Sequence, residues 1–267
     1  MKKVVFITGI SSGFGLAIAT QLAAAGHRVY GTSRKSGFSL PGVVTLKADV
    51  TQMEEVGATV AEVVRNEGCL DVLINNAGIG LAGAIEDFRE DEAFREINTN
   101  LLGVYRTTLC VLPVMRSQNK GTIITISSIA GMMGIPFQGF YSSSKFAVEG
   151  LMQALRYEVA PFGIQVVMVN PGDFRTGFTG NRQIVGSNTG GAYHSAFEKT
   201  LNVIEHDENS GLNAEVLAKK ILKIVEMQNP AHRYVVASVE QKLAVMLQRI
   251  LPSKLFFRIL ASHYKIR

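Results

Sequence analysis

Cysteine is nearly missing from this chain: Cys69 and Cys110 are the only two in 267 residues, far apart and without metal-ligand spacing. That excludes a disulfide scaffold and a cysteine-based metal site, and it fits a reducing compartment such as the cytoplasm. Apolar runs are short as well. Each is broken by charge or glycine well before the ~18 residues that suggest a membrane span. The opening MKKVVFITG starts like a signal peptide, yet its apolar stretch ends after four residues at Thr8-Gly9, too soon for an h-region. No Pro-rich or acidic linker and no internal repeat divides the chain, so one domain over 1–267 is expected.

What the chain does contain is apolar bulk, with 47% hydrophobic and 18% charged residues. Runs rich in β-branched residues near 3–8, 28–32, 43–47, 71–74, 121–126, 164–169 and 233–237 alternate with helical periodicity near 13–25, 52–67, 91–117, 142–160 and 214–228. Near-continuous strands such as VVFI and VVMV belong in a parallel sheet covered on both faces. The expected fold class is therefore α/β: a single-domain Rossmann fold with a doubly wound, seven-stranded parallel sheet. Two segments stand outside the alternation. Residues 173–212, rich in Gly, Ser, Thr and Asn, read as an irregular lid. The tail at 239–267 reads as two helices broken at Pro252.

The tail is also basic. From Gly211 to Arg267 ten Lys/Arg stand against three Glu within an overall charge of +5. The preferred reading is a solvated or core-capping helix face and no nucleic-acid partner. A peripheral membrane contact through Phe256, Phe257 and Ile259 with Lys254 and Arg258 is the less favoured alternative.

Strand 3–8 runs into Thr8-Gly9-Ile10-Ser11-Ser12-Gly13-Phe14-Gly15 and then an Ala/Leu-rich helix. Glycines there let the backbone approach a pyrophosphate, and the helix start supplies unpaired N–H groups. A NAD site usually adds an acidic residue about 20 positions on, but no Asp or Glu occurs from Met1 to Ala48. Ser33 occupies that slot and Arg34 follows it, a pairing suited to a 2′-phosphate. NADP(H) is accordingly preferred over NAD.

The stretch YSSSK places Tyr141 four residues before Lys145, one helical turn apart on one face. An ammonium beside a phenol favours the phenolate and makes it a usable proton donor. Ser127 and Ser142 to Ser144 read as turn or cap hydroxyls.

TGISSGFG, Asn75-Asn76-Ala77-Gly78, Asn100 in NLLG, Ser128 thirteen residues before Tyr141, YSSSK, and Asn170-Pro171-Gly172 occur in an order that clearly resembles the short-chain dehydrogenase/reductase family over about residues 3–237. The resemblance implies a catalytic set of Asn100, Ser128, Tyr141 and Lys145. Tyr141 would protonate a substrate carbonyl, Ser128 would bind its oxygen, Lys145 would hold the ribose and depress the phenol, and Asn100 would hold a water. It further implies cofactor contacts from Gly9, Ser11, Ser12, Gly13, Phe14 and Gly15, from Arg34, Asp49 and Val50, from Asn76, Ala77 and Gly78, and from Pro171, Gly172, Phe174 and Thr176. No metal is implied, and a homodimer or homotetramer is expected from the family. Residues after Ser128 (Met132, Met133, Ile135, Phe137) and Ile79 to Ala82 suggest an apolar pocket for a bulky steroid-like or long-chain carbonyl or alcohol. The tail loosely resembles hydroxysteroid and retinol dehydrogenases. A 3-oxoacyl thioester reductase and a non-catalytic NADP(H) sensor are the alternatives.

Overall fold

The computed structural model describes residues 2–185 and 191–266. Residues 186–190 of the expected lid lie outside the described residues. In chain order the elements begin β1 (Val4–Ile7), α1 (Gly13–Ala24), β2 (Arg28–Ser33), β3 (Val43–Lys47), α2 (Met53–Glu67), β4 (Val72–Asn75), β5 (Leu81–Ala82) and α3 (Glu90–Ile97). They continue with α4 (Gly103–Ser117), β6 (Gly121–Ile126), α5 (Gly139–Val159), β7 (Ile164–Pro171), β8 (Phe174–Arg175), α6 (Phe178–Asn181) and β9 (Gln183–Ile184). The chain closes with α7 (His194–Ser210), β10 (Leu212–Asn213), α8 (Ala214–Glu226), β11 (Arg233–Val236), α9 (Val239–Ile250) and α10 (Ser253–His263).

Seven strands pair in the order β11-β7-β6-β4-β1-β2-β3, every pair parallel. Both faces are covered, which is why the strands read as unbroken apolar runs. Along β1, Val5 and Ile7 point into a core shared with α1 and α8, while Val4 and Phe6 point into a second core shared with α2, α4 and α5. Full burial of each such side chain contributes about 1.5–3 kcal/mol. The order reverses between β1 and β4, and at such a switch point the loops diverge and leave a crevice at the strands' carboxyl ends.

Three elements differ from their sequence-based expectation. The expected helix 91–117 is interrupted at Asn98–Leu102 by a π-helical turn, where the Gly103 N–H reaches back to the Asn98 carbonyl. The last expected helix before the lid starts earlier than 142, at Gly139, so Tyr141 sits inside its first turn. The expected irregular segment 173–212 contains a 17-residue helix, α7, which buries only Phe197, Thr200 and Ile204. Those three positions share one face, but the rest of the helix is polar enough to hide its period. The tail does form two helices on either side of Pro252.

Candidate active site

At the carboxyl end of β1 the chain turns through Gly9, whose φ of +74° a side chain would resist. A Cβ on Gly15 would lie 2.0 Å from the Gly9 carbonyl oxygen, so the turn closes on itself only with glycine. The neighbouring strand end holds it in place. Thr8 Oγ1 accepts from the Asn76 and Ala77 N–H groups at 3.0 Å each, and Asn76 Nδ2 donates to the Thr8 and Gly9 carbonyls at 2.8 and 2.9 Å. Asn76 thus contributes its side chain to the turn. Ser12 starts α1 without a side-chain hydrogen bond to the helix, which leaves the first-turn N–H groups facing the cleft. Uncapped N–H groups on a glycine turn fit the pyrophosphate of a dinucleotide.

At the end of β2, Ser33 is buried and its hydroxyl accepts from the Lys35 N–H at 3.0 Å. Arg34 is mostly exposed at the cleft edge, and its guanidinium lies 3.8 Å from Asp49 Oδ2. Asp49 Oδ1 accepts from both the N–H and hydroxyl of Thr51 at 2.9 Å, so this carboxylate also shapes its own turn. Pro171, Gly172 and Thr176 line the opposite wall with Phe174. The Phe174 ring is itself core, set edge-on to Phe14 with centroids 5.0 Å apart.

The structure gathers Ser128, Tyr141 and Lys145 in one cleft of about 470 Å³ that also takes in the glycine turn. Ser128 Oγ accepts from the Ala130 N–H at 3.0 Å and hydrogen-bonds the Tyr141 phenol. Lys145 Nζ donates to the Ile126 carbonyl at 3.1 Å and lies 5.7 Å from the Tyr141 ring centre. Burial pushes the phenol's pKa upward, with Glu96 and Glu208 adding to the shift and the Ser128 hydrogen bond opposing it. The net direction is opposite to the lowering expected from Lys145. The lysine yields instead: burial brings its pKa down to about 8, against the pull of Glu96 and Glu149.

Asn100 sits in the π-helical turn, and its side chain braces a loop. Its Nδ2 donates to the Ile79 carbonyl and to Ser144 Oγ at 3.0 and 3.1 Å, and its Oδ1 accepts from the Ile79 N–H at 2.8 Å. Both amide hydrogens are thus committed elsewhere than to a water beside Lys145. Of the two roles expected for the serines of YSSSK, turn or cap hydroxyl, the structure shows bonding in and beside the first turn of α5 and no capping. Ser142 Oγ accepts from the Ile135 N–H at 3.1 Å, Ser143 Oγ donates to the Gly139 carbonyl at 2.8 Å, and Ser144 Oγ donates to the Tyr141 carbonyl at 2.7 Å. Ser144 therefore ties Asn100 to the Tyr141 turn.

Three further residues hold the site, and no motif announces two of them, Glu96 and Glu149. Glu96, one turn before Asn100 and fully buried, accepts from the Leu81 N–H at 3.0 Å through Oε1, while Oε2 has no hydrogen-bond partner. Burial raises its pKa to about 7. Asn170 Nδ2 donates to the Ser128 carbonyl at 3.0 Å and to Glu149 Oε1 at 2.6 Å, and Glu149 is ion-paired with Arg233. Asn170 had shown in the sequence only as part of a motif; here it fixes the backbone that carries Ser128.

On the substrate side, Ile79, Gly80, Leu81 and Ile135 line the cleft as expected. Met132 and Met133 lie behind it in a small core that includes Ile204 and Val245. Phe137 packs edge-on against Phe197 of α7, with centroids 5.4 Å apart. Phe178 of α6 covers Tyr141 at 5.7 Å between ring centres, and Asp173, Asp207, Glu208 and Tyr264 complete the far wall. Among the described residues no group of three or more His, Cys, Asp or Glu is placed to hold a metal ion.

Comparison with known proteins agrees with this geometry. The family model for short chain dehydrogenases matches residues 3–184. A 3-ketodihydrosphingosine reductase of Bacteroides thetaiotaomicron is 45% identical over 268 residues, covering 99% of each chain. The human 17-beta-hydroxysteroid dehydrogenase type 1 is 32% identical over 254 residues, covering 87% of this chain and 77% of that one. A crystal structure of a short-chain dehydrogenase from Streptomyces avermitilis superposes with a TM-score of 0.82 at 29% identity, over 99% of this chain and 96% of that one. With its parallel sheet, glycine turn and Ser/Tyr/Lys cleft, the chain belongs to the short-chain dehydrogenase/reductase family and is an oxidoreductase.

Proposed function

We propose that the protein reduces the ketone of a long-chain 2-amino ketone of the 3-ketodihydrosphingosine type, with NADPH as the preferred reductant. The observation that carries this reading is the cleft itself: a Ser128–Tyr141 hydrogen bond beside Lys145, in a chain that matches a 3-ketodihydrosphingosine reductase along its full length. The dinucleotide, when bound, supplies the hydride that reduces the carbonyl carbon. Tyr141 gives its phenolic proton to the carbonyl oxygen. A phenol held protonated by burial suits that direction. Ser128, its oxygen held by the Ala130 N–H, turns its O–H from the phenol to the substrate carbonyl oxygen. Lys145, fixed by the Ile126 carbonyl, lies where it can hold a ribose hydroxyl and return a proton to the phenol.

The preference for NADPH rests on Arg34 and Lys35 at the cleft edge and on the neutral Ser33 in the usual acidic position. The substrate class is supported by two features of the cleft wall: apolar side chains for an alkyl chain, and the Asp207 carboxylate, which favours a cation and whose Oδ2 lies 3.0 Å from His263 Nε2, whereas Glu208 is already ion-paired with Arg182. A 2-amino ketone carries an ammonium next to the reacting carbon. Following the absorbance of reduced nicotinamide with 3-ketodihydrosphingosine and with the same ketone lacking the amine tests this. The Asp207→Asn variant is expected to raise KM for the amino ketone only. A wild type that turns over neither ketone, or a variant that loses both equally, counts against the reading.

A further inference from the structure

The two C-terminal helices are apolar on two opposite faces. Inward, Val245 of α9 and Phe256 and Leu260 of α10 pack on Ala130, Met133 and Ile135, the small core behind Tyr141. Outward, Val239, Leu243, Met246 and Ile250 recur at i, i+4, i+7 and i+11 along α9 and form a second stripe, with Val239 and Ile250 exposed at 77% and 68%. Leu255 and Ile259 repeat the pattern on α10 at 45% and 47%. At 100° per residue this stripe lies across the helix from Val245, so it is not the margin of the buried face. Phe256, assigned to a surface contact on sequence grounds, belongs to the inner face.

Charge is arranged to match. Lys242 and Arg249 flank the α9 stripe on one side, Lys254 and Arg258 flank the α10 stripe, and Lys265 follows; all five are exposed, and Glu240 is the only acidic residue on the two helices. A second copy docking on this face would set these cations against their own kind. A surface that is both apolar and anionic would satisfy them.

We propose that α9 and α10 dock the protein on the surface of an anionic lipid bilayer, with Val239, Leu243, Met246, Ile250, Leu255 and Ile259 entering the headgroup boundary. Among the described residues no helix is long and apolar enough to cross a membrane, so the contact is a reversible one that lies in the interface. Tyr264, directly after α10, lines the cleft from the inner face of the two helices, so they present the docked surface on one side and a wall of the site on the other. The inference stands whether or not the substrate is a lipid.

Sedimentation of the full chain with vesicles of phosphatidylglycerol and phosphatidylcholine, against phosphatidylcholine alone, tests it. Binding is expected only with the anionic vesicles and is lost in high salt. Each cation near such a surface contributes about fivefold, so Lys242→Ala with Arg249→Ala should lower partitioning by ~30-fold. Leu243→Ser with Met246→Ser should do likewise, with unchanged melting temperature and dinucleotide binding in both variants. Absence of binding by the wild type at low salt overturns the proposal without reference to any variant. So does binding by both double variants at the wild-type level. Loss of a wild-type dimer in the serine variant, seen by sedimentation velocity without vesicles, would assign the stripe to a second copy and overturn it too.

Discussion

Glu96 and Lys145 occupy the same dry environment with opposite consequences: burial pushes the carboxyl up to about 7 and the ammonium down to about 8. For Glu96 the folded pKa lies above the ordinary glutamate value of 4.5, so the folded state holds a proton that the unfolded chain gives up between those values. The stability this contributes is complete below about pH 4.5 and disappears as pH rises through 7. Glu96→Gln imitates the protonated form and still accepts from the Leu81 N–H. Its melting temperature should match the wild type near pH 5 and exceed it increasingly toward pH 8, and a difference independent of pH would show that Glu96 is not neutralised by folding. Arg34 belongs to the same scale. A charge-assisted hydrogen bond is worth about 1.5–3 kcal/mol, so Arg34→Ala should weaken NADPH binding by ~10–100-fold and leave NADH binding nearly unchanged. Equal losses in a fluorescence titration would remove the 2′-phosphate assignment. Arg34 and Tyr141 could be found in the sequence because each sits at a fixed offset from a glycine turn or a lysine. Glu96 could not, because an acidic residue on an amphipathic helix ordinarily reads as solvent-facing.

Strands were the most legible elements, since a parallel strand buried on both faces leaves no polar alternation to confuse with a loop. The π-helical turn at Asn98–Leu102 left no trace, because one register shift from i+4 to i+5 hydrogen bonding barely alters the apolar period. Yet that turn carries Asn100 between Ile79 and Ser144. Helix α7 was missed for a different reason: one of its three buried positions is Thr200, and its exposed face carries Asn, His and Ser, a loop-like composition. Element packing also makes Gly80 a sensitive position. A Cβ there would meet the Phe178 ring at 2.5 Å, and Phe178 is the ring that covers Tyr141. Overpacking of this kind costs about 1–3 kcal/mol. Gly80→Ala is expected to raise the substrate KM several-fold while the dinucleotide affinity stays within about twofold. Equal KM values would mean that α6 does not help to seat the substrate.

At the scale of the whole molecule, the strand order brings separated segments to one crevice. The glycine turn after β1, the Asn76 loop after β4, Ser128 after β6 and Pro171-Gly172 at the end of β7 all reach the cleft from adjacent central strands. The helices after β11 close its far side, where α9 and α10 join the small core behind Tyr141. This division explains why the lining around the glycine turn could be named from the sequence while only part of the substrate side could. The first is built by short motifs against rigid strand ends; the second by side chains from 129–141, 173–212 and 264 that meet only in the fold. The most direct measurement compares wild type with Tyr141→Phe for NADPH oxidation driven by 3-ketodihydrosphingosine, together with NADPH binding by fluorescence. The account predicts turnover by the wild type and a loss of at least ~1,000-fold in the variant with NADPH affinity kept. Turnover by the variant near the wild-type rate would contradict it.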